Sequence, residues 1–304
     1  MNVSETTAAA GADVLPFLAD LYPQLYLKPG EPSAAEYRDV VLAGVEPSSH
    51  SLTHFCGSSD DSAVFVQTPA GCVLTVTLQE RSDFECALQI LAEKCQPIPI
   101  PATQGASMLD GLISWKKIRA HEAEYRSDPS HTEADWDEEF RRFTSDKRNI
   151  TDALILCSAG PYSAVAAECL GKNETDWLRE SAVIRKYHEL NHFICRRLYP
   201  ERISPIWDEL AADAIGIYAA YGSYDVNLAG IFLGIRNGVY RKGRLENYVN
   251  EPHPAEKQVK LDSLAGKIHP VLLHFQDLFR THPGITPFEA VNLLEDNCFT
   301  PIEP

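Results

Sequence analysis

The sequence predicts an α+β protein, with a mixed N-terminal part that contains a small β-sheet and a C-terminal part that is mainly α-helical. Strand-like alternation is concentrated before residue 164, in AVFVQTPAGCVLTVTLQ (63–79) and TDALILCSAGPYS (151–163). From Glu174 onward apolar residues recur at helical spacing and strand signals nearly vanish. With 304 residues, 44% of them hydrophobic, the chain has enough apolar material for a packed core in one large domain or two.

Taken in order, residues 1–12 are small and polar and are expected to form a flexible tail. An N-terminal α/β part follows over residues 13–150. Within it, residues 63–79 read as two strands joined by a turn at Thr68-Pro69-Ala70-Gly71, and SDFECALQILAEKC (82–95) reads as a helix with an acidic start. QPIPIPATQGAS (96–107) has to be extended because its prolines exclude helix; it is expected to be a connector able to line a cleft. Between Glu122 and Glu139, eight acidic residues face a single arginine, Arg126, which suggests a solvated face or a mobile excursion. The C-terminal part, 151–304, opens with a short buried strand ending in Gly-Pro. Helices are then expected at about 174–198, 203–220, 224–237, 255–282 and 286–296.

Charge and cysteine usage narrow the function. The excess of 43 acidic over 27 basic residues, a net −16, argues against nucleic acid or an anionic membrane as the main partner. The N-terminus has no basic stretch followed by an apolar one, and no apolar run is long enough to span a bilayer, so a cytoplasmic location is expected. Cys56, Cys72, Cys86, Cys95, Cys157, Cys169, Cys195 and Cys298 form no CxxC pair and read as reduced core residues.

The chemistry is concentrated in YHELNHFICRRLYPERISPIWDELAADAIGI (187–217). His188 and His192 stand four apart in a segment free of Gly and Pro, so on a helix both imidazoles project from one face and can reach one ion. Glu189 is rotated by about 100° from His188, beside such an ion rather than on it, where a general base for an activated water belongs. A catalytic zinc site needs a third protein ligand and an open fourth position. Glu209 is the best candidate for that ligand: it follows a break bounded by Pro200 and Pro205 and lies on a new helix. Asp213, four residues further on, shares its face and could accept a hydrogen bond from the second nitrogen of a liganding histidine, most naturally His188. The bland alternative is a surface helix with solvated His and Glu, on which Glu209 and Asp213 are merely first-turn acids favoured by the helix dipole.

At HELNH and DELAAD the sequence resembles the gluzincin branch of the zincin metallopeptidases, the group that includes thermolysin and M1-type aminopeptidases. The longer pattern, with GPYSA, FLGI and GRLENY, also resembles an uncharacterised family of zincin-like proteins. The resemblance implies one zinc ion held by His188, His192 and Glu209, with Glu189 as general base and Asp213 behind a ligand. The gap from His192 to Glu209 is shorter than in the best-known gluzincins, which leaves Asp208 and Asp213 open as third ligands. It also implies that the metal helix lies at the floor of a cleft between the two parts, and that a Tyr or His stabilises the oxyanion. Tyr218, Tyr221, Tyr224, Tyr240 and Tyr248 qualify by type, with Tyr221 and Tyr224 put forward. Arg241 and Arg244 could meet a substrate carboxylate or cap a helix, and LILCSAG could be a sheet edge for a peptide or a central strand.

The expected function is zinc-dependent hydrolysis of a peptide or small amide substrate. The alternative is a catalytically inactive zincin fold in which a structural metal supports a binding module. Retention of Glu189 favours hydrolysis, since a structural site needs no base and prefers four protein ligands. A di-iron carboxylate bundle would need a second Glu-x-x-His helix, which the sequence lacks.

Overall fold

A computed structural model of the chain describes residues 4–132, 135–202 and 205–297. It is α+β, with a five-stranded sheet in the N-terminal region and a helical C-terminal region. The strands are β1 (Glu5–Ala10), β2 (Ser62–Thr68), β3 (Gly71–Leu78), β4 (Ala106–Ile113) and β5 (Thr151–Ser158), in the spatial order β1-β2-β3-β5-β4. Only the β3–β5 pair is parallel. The β2–β3 turn is the expected one: the Thr68 hydroxyl accepts from the Ala70 amide at 3.1 Å and donates to the Gly71 carbonyl at 2.7 Å.

Two expectations fail in this sheet. Residues 5–10 are not a loose tail but the edge strand β1, paired antiparallel with β2 across a register shift between Thr7 and Ala9. A run of threonine and alanine carries no hydrophobic alternation to announce a strand; its ladder partner supplies the order. The boundary at residue 150 also cuts the wrong place, because β5 is inserted between β3 and β4 and so belongs to the N-terminal sheet. LILCSAG is therefore a central strand, and the edge is β4.

Both faces of the sheet are buried along β5, whose apolar run Leu154–Cys157 sends alternate side chains to each face. Leu154 and Leu156 pack with Leu74, Val76 and Leu78 against α1 (Val14–Leu21) and α3 (Arg81–Leu91); α2 (Ala34–Ala43) lies beyond. Ile155 and Cys157 face the other way, with Val66, Val73 and Met108, into the core shared with the C-terminal helices. The described residues of the acidic stretch are mostly helical: α4 (Trp115–Ser127), α5 (Trp136–Ser145) and the short α6 (Lys147–Ile150) form a satellite in which His121 stacks on Phe143 at 3.9 Å and Tyr125 on His131 at 3.9 Å. Aromatic contacts between helices, invisible in the charge count, hold it.

The C-terminal region comprises α7 (Glu174–Leu198), α8 (Pro205–Tyr221), α9 (Val226–Leu233), α10 (Pro254–Thr281) and α11 (Pro287–Asp296). The helix expected to reach residue 237 stops at Leu233, and Ile235–Arg236 (β6) and Val239–Tyr240 (β7) form a hairpin around Asn237-Gly238. A short 3₁₀ turn, Arg244–Tyr248, follows and caps the cleft described below. No helix among the described residues is long and apolar enough to cross a membrane. Seven cysteines are free, but only Cys95, Cys157 and Cys195 are buried; Cys56, Cys72 and Cys169 are exposed, against the expectation of core residues, and Cys298 lies outside the described residues.

In the satellite, Glu139 accepts from Arg142 at 2.6 and 2.7 Å and lies 2.5 Å from His121. Arg142, with His121, draws its carboxyl down to about 2. A carboxyl depressed in the folded state stabilises fully above its unfolded value of about 4.3 and loses that contribution as pH falls toward the folded value. Glu139→Gln is accordingly expected to lower the melting temperature at neutral pH, with the gap to the parent protein narrowing from about pH 5 to about pH 3. Melting curves across that range check it.

Candidate metal centre

The site is built where α7 and α8 run antiparallel. Asn173 starts α7 by accepting from the amides of Thr175 and Asp176, with acids in the first turn and Arg196 and Arg197 in the last, so both helix ends are satisfied and the dipole is complemented. Ala211 and Ala212 of α8 are buried and add little bulk. The closest approach falls one turn later: a Cβ on Gly216 would stand 2.6 Å from the Ile184 carbonyl oxygen, so glycine is required there. This proximity lets side chains on α8 reach behind both histidines of α7.

His188 Nδ1 lies 3.0 Å from Asp213 Oδ1, and His192 Nδ1 lies 2.8 Å from Asp208 Oδ2. A carboxylate only accepts, so each imidazole carries a proton on Nδ1, with the Tyr162 hydroxyl also 2.8 Å from His188 Nδ1, and in its neutral form offers a bare lone pair on Nε2. The two Nε2 atoms face each other at 3.0 Å. Glu209 completes the group: its Oε2 is 3.6 Å from His188 Nε2 and its Oε1 is 3.7 Å from His192 Nε2, and one ligand atom from each of the three residues fits within 4.8 Å. Two converging lone pairs and a carboxylate repel one another unless a cation lies between them. Nitrogen and oxygen donors of this kind fit a divalent ion such as zinc, with a fourth position left open toward the cleft.

The surrounding charges are arranged to the same end. Burial opposes charge on His192, but Asp208 outweighs it, with Glu189 and Glu209, and raises its pKa to about 9. Burial also works against Glu209, yet His188, Arg244 and His192 keep its carboxyl below the usual range. Asp213 is buried and held well below that range by Arg244 and His188. Arg244 Nη2 is in direct contact with Asp213 Oδ2. The Tyr162 hydroxyl donates to Asp213 Oδ1 at 2.6 Å and accepts from Arg244 Nη1 at 3.1 Å. Tyr162 is carried by a strained turn, with Ser163 and Ala164 both at positive φ, and its amide is fastened to Ser181 of α7 at 2.9 Å.

The sequence-derived residues separate clearly. His188, His192, Glu189, Glu209 and Asp213 come together. Asp208 and Asp213 lie on the Nδ1 sides of the imidazoles, and Glu209 lies on the side where the Nε2 atoms converge. Tyr221 and Tyr224 are not in the site: the Tyr221 hydroxyl donates to Glu180 at 2.7 Å, and Tyr224 is buried between Phe275 and Phe279. The reason is helical rise, for Tyr221 lies twelve residues past Glu209, roughly 18 Å along the axis of α8. Tyr248 lines the cleft with Glu209 instead, and burial and the neighbouring carboxylates push its phenol up. Arg244 is in the site and Arg241 is exposed outside it. Tyr162 had no assignable spacing beyond the quoted GPYSA, and Asp208, which the sequence left open as a third ligand, is found behind His192.

The imidazole pair opens into a cleft of about 560 Å³. Glu189, buried on α7, faces this space and makes no hydrogen bond within the described residues. Across from it lie Pro101, Thr103 and Gln104 of the proline-rich connector and Gly105–Met108 at the start of β4.

The protein is expected to bind about one zinc per chain. His188→Ala and His192→Ala should each abolish binding and Glu209→Ala should weaken it severely, whereas Asp208→Asn and Asp213→Asn should weaken it by about 10- to 100-fold. Metal analysis after dialysis against a graded chelator tests the order; full zinc retention in the double histidine variant would refute the assignment.

No curated protein and no solved structure was found to match the chain. Residues 6–284, which include the whole cluster, match a family described as a family of unknown function, DUF7005, and the chain belongs to that family.

Proposed function

We propose that the protein is a zinc-dependent hydrolase of peptide or related amide bonds. The observation that carries this reading is the convergence of two Nδ1-anchored imidazoles and Glu209 on one point, with a second carboxylate, Glu189, free beside them and open to the cleft. The likeness of HELNH and DELAAD to gluzincins supports it from the sequence. A zinc ion held by His188, His192 and Glu209 would polarise the scissile carbonyl and bring the pKa of a water toward about 7.

The remaining work belongs to the chain. Asp213 and Asp208 hold the tautomers that expose Nε2 and keep both rings oriented. Glu189 accepts the proton from the attacking water and delivers it to the leaving amine. The Tyr248 hydroxyl, beside Glu209, is a donor available to the oxyanion. β4 is an edge strand whose first residues line the cleft, so its outer side offers backbone groups to an extended peptide in the manner of strand addition. The free thiols favour a reducing, cytoplasmic setting as part of the same proposal.

Glu189→Gln keeps shape and removes basicity. It is expected to bind zinc like the parent and to lose turnover of peptide substrates by about 10²- to 10⁴-fold. An unchanged rate in a zinc-replete, folded variant would favour the scaffold reading, and loss of zinc would make Glu189 a ligand. Tyr248→Phe should retain zinc and lower kcat by about 10²- to 10³-fold with little change in KM; steady-state kinetics on the same preparation check both.

A further inference from the structure

The face of α7 that carries the imidazoles also carries two arginines. Arg185, His188, His192 and Arg196 are spaced by three, four and four residues. At about 100° per residue they fall within a sector of about 80°, and all four line the cleft. The arginines differ in kind. Arg196 is exposed near the end of α7, with Asp208 as the carboxylate that feels its charge.

Arg185 is only 3% exposed. Its guanidinium donates to the carbonyls of Ser158 at 2.8 Å, Gly160 at 3.0 Å and Pro161 at 3.4 Å, where the chain leaves β5. Its Nε has no hydrogen-bond partner, and no carboxylate pairs with it among the described residues. Carbonyls satisfy donors without neutralising charge, and a buried guanidinium without a counter-ion is unfavourable. Burial pushes its pKa down, although guanidinium stays charged at any ordinary pH. The end of the connector, just before β4, is shaped to admit it: a Cβ on Gly105 would stand 2.6 Å from Arg185 Nε. Arg244 is paired to Asp213 and Glu209 lies at the imidazoles, and Glu189, four residues along α7, feels the charge of Arg185 without pairing to it.

We propose that Arg185 is a carboxylate-binding residue, and that the cleft takes a peptide carrying a carboxylate, from its C-terminus or an acidic side chain, about two residues from the imidazole pair. The rise of α7 puts Arg185 roughly 7 Å from the midpoint of the histidines, two residues of extended chain at about 3.3 Å each. In a chain of net charge −16 a buried cation at this point gives an anionic substrate a local reason to bind. That the bound peptide is then cleaved rests on the hydrolytic reading; the binding itself does not. A purely structural Arg185, pinning the turn that carries Tyr162, would affect charged and neutral peptides alike, so the ratio between them is the informative quantity.

The test uses zinc-loaded Glu189→Gln protein, which keeps the cleft without turnover, and calorimetric binding of N-acetylated tetrapeptide mixtures. One pair compares the free C-terminal acid with the amide, and a second series compares Glu with Gln at each position of amidated peptides. A carboxylate-bearing mixture is expected to bind about 10- to 100-fold more tightly than its neutral counterpart, and the pair that shows this identifies the carboxylate as terminal or side-chain. Adding Arg185→Gln should reduce the preference to within about twofold, whereas adding Arg196→Gln should leave it. If Arg185→Gln fails to fold, Gly105→Ala, whose Cβ displaces the guanidinium, is expected to give the same loss. No preference for any carboxylate, or a preference that survives in folded Arg185→Gln or Gly105→Ala, overturns the proposal. Turnover of the same mixtures by the parent protein is followed in parallel: binding preference without turnover refutes the hydrolytic reading alone, and turnover without preference refutes the carboxylate site alone.

Discussion

Two imidazoles, each with its Nδ1 proton committed to a carboxylate, have nowhere to direct their remaining lone pairs but at each other, 3.0 Å apart. Much of the helical region can be understood as the apparatus that imposes this arrangement. Asp208 and Asp213 sit on α8 five residues apart, one behind each ring, which works only because α8 approaches α7 closely enough for short side chains to span the gap. Gly216 and the alanines permit that approach. Any side chain at Gly216 would press the helices apart and slacken both carboxylate contacts together.

Charges alternate outward from the imidazoles: His188, Asp213, then Arg244, with Tyr162 bridging the last two. Buried ion pairs of this kind are weak contributors to net stability, because desolvation offsets most of the attraction, but removing one member leaves an unpaired charge at a penalty of about 3–5 kcal/mol. The arrangement therefore resists partial rearrangement. That rigidity suits a site whose value lies in holding lone pairs where they repel, and it ties the 3₁₀ turn of Arg244–Tyr248, which begins 23 residues beyond the end of α8, to the floor of the cleft. The sheet contributes the opposite wall, with β4 at its edge and the proline-rich connector feeding into it.

Local patterns carried most of the helical architecture. The boundaries of α7 followed from an unbroken run between Asn173 and Tyr199, and those of α10 and α11 lay within a residue of the apolar periodicity, since caps and prolines mark their ends. The β2–β3 hairpin was legible from Thr68 to Gly71 for the same reason. β1 was not, because Glu5–Ala10 holds its conformation through pairing with β2 rather than through its own side chains. The hairpin after α9 was overlooked although Asn237-Gly238 signals it, because strands of two residues are too short to show alternation.

For the site, spacing on a helix was enough to bring His188 to His192 and Asp213 to the face of Glu209, because one helix turn is a fixed geometry that needs no knowledge of the rest of the fold. Everything that depends on how separate elements dock was beyond its reach. That Glu209 turns its carboxylate toward both Nε2 atoms while Asp208, its neighbour, turns to His192 Nδ1 is set by the angle between α7 and α8. That Tyr248 enters the cleft while Tyr221 and Tyr224 do not depends on the hairpin, packed on α9 and α10, returning the chain to the site. That Arg185 lies buried against Gly105 depends on β5 being slotted between β3 and β4, which no periodicity in its own residues encodes.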